Sequence, residues 1–96
     1  MLSWVIYDIV ATKTRNKVIK VCKNIGLYRV QKSVFLGDIE INQFDELKLK
    51  LEEVVDLEID SVYVFPMSKR ELGEAGLIGQ AFDKELVTDE IISKFF

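Results

Sequence analysis

Along the first 67 residues the spacing of apolar side chains switches repeatedly between a strand-like and a helical period. Residues 2–10, LSWVIYDIV, are β-branched and aromatic without a helical repeat and predict a buried strand. Val18, Val21, Cys22 and Ile25 then recur at three-to-four spacing, an amphipathic helix with Thr12 or Thr14 as its cap and Gly26 as a left-handed stop. LYRVQ and VFLGDIE follow as two short strands with a tight reversal near Lys32–Ser33. That turn has no Gly, Pro or Asn, so a single bent strand is the alternative. Phe44, Leu47, Leu51, Val54 and Val55 form the stripe of a second helix, with Asn42 as its cap and Asp45 and Glu46 near its positive end. DSVYVFPM alternates with a strand period and is stopped by Pro66.

The resulting order, β-α-β-β-α-β, is an α+β ferredoxin-like pattern over residues 1–67. Two helices on one face of a four-stranded antiparallel sheet leave the other face uncovered, and a second copy of the chain can bury it. Residues 68–96 read as a C-terminal extension. Its first part, 68–80, carries Gly73, Gly76 and Gly79 among charges and suggests a mobile connection. Apolar spacing then resumes at Leu86, Val87, Ile91, Ile92, Phe95 and Phe96, with Thr88, Asp89 and Glu90 as a helix start. Phe95 and Phe96 would be costly if exposed, so they are expected at an interface.

Composition sharpens this picture in three places. Ninety-six residues make one domain, and a 49% hydrophobic content is generous for that size, which again fits burial against a second copy. The single Cys22 lies on the apolar stripe, so it reads as a core residue in a chain suited to a reducing cytoplasm. MLSWVIY ends at Asp8 without a basic flank and is neither a signal peptide nor a membrane span.

The net charge of −3 conceals a division. From Ile9 to Gly37 there are seven cations (Lys13, Arg15, Lys17, Lys20, Lys23, Arg29 and Lys32) and no acid. A solvated helix with spare lysines explains such a run, and so does a face that attracts phosphate. The chain has no histidine, which removes the usual general base, the histidine triads and most zinc sites. Neither a Walker phosphate loop nor a dinucleotide fingerprint is present. Carboxylates with Mg²⁺ are the chemistry left, because Mg²⁺ takes few protein ligands and shares its shell with phosphate and water.

Asp8 is the first candidate ligand. It interrupts an apolar strand, where an unpaired charge is costly, so it must reach solvent, a cation or a metal. The structural alternative is that it caps the loop after the first strand or pairs with Arg15. One carboxylate is a thin metal site, and a two-fold dimer that brings two Asp8 side chains together would relieve that. Arg29, Gln31 and Ser33 alternate with Val30 and Val34, giving a polar row that suits a phosphate path or simply an exposed strand face. Phe35 falls on the polar side of that row, placed to stack or to fill an interface.

VIYDI, TRNKV, GLYRVQKSVFLGDI and DSVYVFP, in that order and spacing over residues 4–67, resemble the small CRISPR-associated adaptation proteins, the Cas-two family; the tail LIGQAFDKELVTDEIISKFF is similar to that of some members. The resemblance implies a ferredoxin-like homodimer that works beside the CRISPR integrase when new spacers are captured. It also implies a Mg²⁺-dependent endonuclease acting on RNA or duplex DNA. By position Asp8 would be the metal-binding aspartate, with Arg15 and Arg29 as catalytic partners. Lys13, Arg15, Lys17, Arg29 and Lys32 would bind nucleic acid, and Phe35 would join Phe95 and Phe96 at interfaces. Lys17 stands where an arginine is often found; a lysine keeps the charge but loses the bidentate grip on phosphate. A non-catalytic bridge between DNA and integrase is the competing expectation, and a toxin-like RNA interferase of similar fold has no specific support.

Overall fold

The computed structural model describes residues 1–79. Strands β1 (Leu2–Asp8), β2 (Tyr28–Gln31), β3 (Val34–Asp38) and β4 (Ser61–Pro66) form one antiparallel sheet in the order β2-β3-β1-β4. Helices α1 (Thr12–Ile25) and α2 (Ile41–Val54) pack on one face, and a short α3 (Lys69–Glu74) follows β4. This is the expected ferredoxin-like arrangement. Among the described residues no helix is long and apolar enough to cross a membrane.

Alternation in β1 divides its side chains between two cores. Val5 and Tyr7 point to the helices with Val18, Cys22, Phe35, Leu47 and Leu51, while Leu2 and Trp4 point the other way and meet Leu36 and Leu72. Leu72 is fully buried, so the sheet face expected to be bare is partly covered by α3. Within the stretch 68–80, expected to be a mobile connection, Lys69–Glu74 is therefore a docked helix. Ser68 accepts from the Glu71 N–H at 3.0 Å while Glu71 accepts from the Ser68 N–H at 2.9 Å, a reciprocal cap that starts α3. The Ser68 N–H, and after it the Ser68 hydroxyl, favour the ionised Glu71 carboxylate and hold its carboxyl below the ordinary value.

Beyond α3 the same face continues as a row across three strands, Val34–Ile6–Tyr63, and then Asp8 beside Ser61. Tyr63 is 62% exposed. The tail expectations for Leu86 to Phe96, including the interface roles of Phe95 and Phe96, lie outside the described residues.

Gly26 ends α1 with φ +107°, a conformation that suits a residue without a Cβ. The other caps differ from expectation. Ala11, not Thr12 or Thr14, precedes α1 and offers no side-chain cap. Glu40, not Asn42, starts α2 in a reciprocal pair with Gln43, whose side chain accepts from the Glu40 N–H at 2.8 Å. Asp45 and Glu46 lie past the first turn and instead pair with Lys48 at 3.4 Å and Lys50 at 2.8 Å.

β2 and β3 form a hairpin with Lys32–Ser33 at its turn, which settles the alternative of one bent strand. A register shift between Arg29 and Gln31 leaves Val30 bulged. The bulge and the turn shift the side-chain alternation twice and so cancel: Phe35 stands opposite Arg29 on one face, and that face is the one the helices cover. Phe35 is fully buried, 6.4 Å from the Tyr7 ring, so its expected interface role is overturned: no partner can reach it.

Candidate active site

The sheet positions its polar residues at the end of β1. The strand runs apolar to Tyr7, and Asp8, opposite Ser61, is its first exposed side chain. Neither structural alternative for Asp8 is observed. Its carboxylate makes no hydrogen bond or ion pair among the described residues, Arg15 included.

Arg15 braces the loop instead. Its Nη1 donates to the Ile9 carbonyl at 3.2 Å and its Nη2 to Thr12 Oγ1 at 2.7 Å. Thr12, expected to cap the helix, therefore holds the arginine. Arg29 does the same work across the groove, donating from Nε at 3.2 Å and Nη2 at 2.6 Å to the Lys32 carbonyl. Tyr7 Oη donates to that carbonyl too, at 3.1 Å, and the Tyr7 N–H donates to Ser33 O at 3.1 Å. The hairpin turn is thus tied to the end of β1. Burial raises the Tyr7 phenol above its ordinary value of 10.0 although Arg29 opposes the shift, so the hydroxyl keeps its proton and remains a donor at neutral pH.

These residues enclose an open groove of about 340 Å³. Asp8, Arg15, Arg29 and Lys32, four of the expected site residues, line it together. Lys13 and Lys17 do not. They stand one helical turn apart on the exposed side of α1. Tyr7 and Asn16 also line the groove and went unnoticed in the sequence. Tyr7 carried a usable signal, since a tyrosine in a buried strand needs a partner for its hydroxyl.

Mg²⁺ keeps several waters and takes only one or two carboxylates together with phosphate oxygens. Asp8 fits as one such ligand, being exposed, unpaired among the described residues and in one groove with cations that would hold a phosphate. Among the described residues no cluster of three or more metal-binding side chains exists, and Asp8 is the one carboxylate among the residues that line the groove.

The chain is 38% identical over 72 residues to the CRISPR-associated endoribonuclease Cas2 of Desulforudis audaxviator, covering 75% of this chain and 68% of that protein. It is 44% identical over 66 residues to the CRISPR-associated endoribonuclease Cas2 3 of Thermodesulfovibrio yellowstonii, covering 69% and 73%. The crystal structure of Streptococcus pyogenes Cas2 superposes with a TM-score of 0.71 at 27% identity, over 82% of this chain and 100% of that one. The family model for CRISPR associated protein Cas2 matches residues 1–75, the sheet, all three helices and the groove at the end of β1, and the chain belongs to that family.

Proposed function

We propose that the chain acts in CRISPR adaptation as a cytoplasmic two-fold dimer that holds duplex DNA or RNA beside the integrase and cleaves it slowly with Mg²⁺. The observation that carries this reading is the Asp8 carboxylate, unpaired among the described residues, in one groove with Arg15, Arg29 and Lys32. An acid left without a partner among three cations is arranged for something that brings its own charge. A metal ion with a phosphodiester does so.

Asp8 would hold the ion, and Mg²⁺ when bound supplies neutralisation of phosphate charge and a more acidic water. Arg15 and Arg29, each already anchored on a backbone carbonyl, present cations whose positions are set before phosphate arrives. Lys32 adds charge at the hairpin turn. With no histidine in the chain, proton transfer falls to water or to Asp8, a weak arrangement at neutral pH, and cleavage is slow. The names of the relatives, which are endoribonucleases, support a phosphodiester as the bond attacked.

A second copy seated on the Val34–Ile6–Tyr63 row would bury apolar surface next to Asp8 and bring a second carboxylate near. Light scattering should give a dimer at micromolar concentration; a monomer there counts against it. The second reading, a bridge without catalysis, is favoured by the single carboxylate that lines the groove. Labelled RNA and duplex DNA incubated with and without Mg²⁺ separate the two. The nuclease reading expects Mg²⁺-dependent products that vanish in Asp8→Asn, and the bridge expects binding without products from either protein.

A further inference from the structure

One peptide group at the mouth of the groove is held on both sides. The Ile9–Val10 peptide is the second after Asp8. Its N–H donates to Asp60 Oδ1 at 3.1 Å, and its carbonyl accepts from Arg15 Nη1 at 3.2 Å. Asp60 itself is fixed: Oδ2 accepts from the Asp56 N–H at 3.0 Å, and its own N–H donates to the Asp56 carbonyl at 2.9 Å.

Ile9 is buried and anchors the loop, but a buried side chain does not decide which way the next peptide plane faces. That plane turns about ψ of Ile9 and φ of Val10, and the Val10 side chain, 67% exposed, offers no packing to stop it. We infer that Asp60 is a positioning residue for the groove: by holding the Val10 N–H it turns the Ile9 carbonyl to Arg15 and sets that guanidinium beside Asp8. A carboxylate on the N–H and a guanidinium on the carbonyl polarise the same amide, so each bond strengthens the other. The consequence for nucleic acid rests on Arg15 binding phosphate, as proposed above, whereas the geometry can be tested without any nucleic acid.

Coulomb's law alone says that removing an acid near a phosphate site raises affinity. Positioning says the reverse. Asp60→Ala should expose the Val10 amide to hydrogen exchange and shift the Arg15 Nε–H resonance toward that of an unstructured chain. Duplex affinity should fall several-fold, and the slope of log affinity against log salt should flatten by about 0.9, one phosphate contact. In an Arg15→Ala background the same change should cost nothing more. Glu58→Ala, which removes the same charge from the same turn at an exposed side chain, should leave Val10 protection and affinity in place.

A Val10 amide still protected in Asp60→Ala overturns the inference, as do losses that add in the double variant. If Arg15→Ala does not weaken duplex binding, the phosphate role of Arg15 fails, while Val10 exchange and the Arg15 resonance still decide the positioning. Should the alanine variant not fold, Asp60→Asn serves, because its one acceptor oxygen cannot satisfy both N–H groups. Full protection of Val10 and Asp56 together in that variant would overturn the inference.

Discussion

The two ends of β1 are secured by different physics. At its start Leu2 and Trp4 are gripped by Leu36 and Leu72, and Trp4 lies over Phe65 with ring centroids 6.2 Å apart and planes within 13°. At its end Asp8 is exposed, and the surrounding backbone is held by polar bonds: Arg15 to Ile9, Arg29 and Tyr7 to Lys32, Asp60 to Val10. Apolar packing fixes position but excludes charge. Arginine-to-carbonyl braces fix position and keep charge at the surface, which is what a phosphate site needs.

Breaking the apolar end should produce the largest loss of stability. Leu36 is fully buried between strand neighbours and α3, so Leu36→Ala should cost about 2–5 kcal/mol in urea unfolding. Nucleic-acid binding per folded molecule should survive it. At the polar end the order reverses. Arg15→Ala with Arg29→Ala should lose about 1 kcal/mol of stability per brace removed, yet weaken duplex binding strongly and flatten the salt slope by about 0.9 per contact. Lys13→Ala with Lys17→Ala removes the same charge outside the groove and should flatten it less. Equal slopes from the two pairs would mean that the groove is not the phosphate path.

The same division explains what was legible in the sequence. Period marked the two helices, each of which buries one stripe, while β1, buried on both faces, reads as a nearly unbroken apolar run. The cation run of 9–37 pointed to Arg15, Arg29 and Lys32, since the hairpin folds back against the end of β1. Phe35 does share a face with Arg29, as the alternation says, but Arg29 lies on the edge strand and stays exposed, while over β3 the helices cover that same face. The α1 cap was missed because the Thr12 hydroxyl is engaged by a side chain rather than by the helix. Ser68 and Glu71 did spell a capping box, overshadowed by three glycines. Asp60 could not be read at all. Its role depends on a contact fifty residues away.

A smaller effect sharpens the account of the helix-side core. Burial pushes the Cys22 thiol from 9.0 up to about 12. The folded chain therefore keeps a proton that the unfolded chain loses above about pH 9. Its contribution to stability is complete below that pH and declines as pH rises toward about 12, by at most ~1.4 kcal/mol per unit. Urea midpoints between pH 8 and 10.5 should fall in the parent and fall less in Cys22→Ala.

The central claim is that Asp8 is held open for a ligand rather than used to hold the loop. Asparagine keeps the shape and one acceptor oxygen but not the charge that retains a hard cation. Melting temperature and Mg²⁺-dependent cleavage, measured on one preparation of Asp8→Asn, test the claim together. The expected result is a melting temperature equal to or above the parent's, because an unpaired carboxylate has been removed, with cleavage abolished and duplex binding retained. A lowered melting temperature with cleavage nearly intact would contradict it.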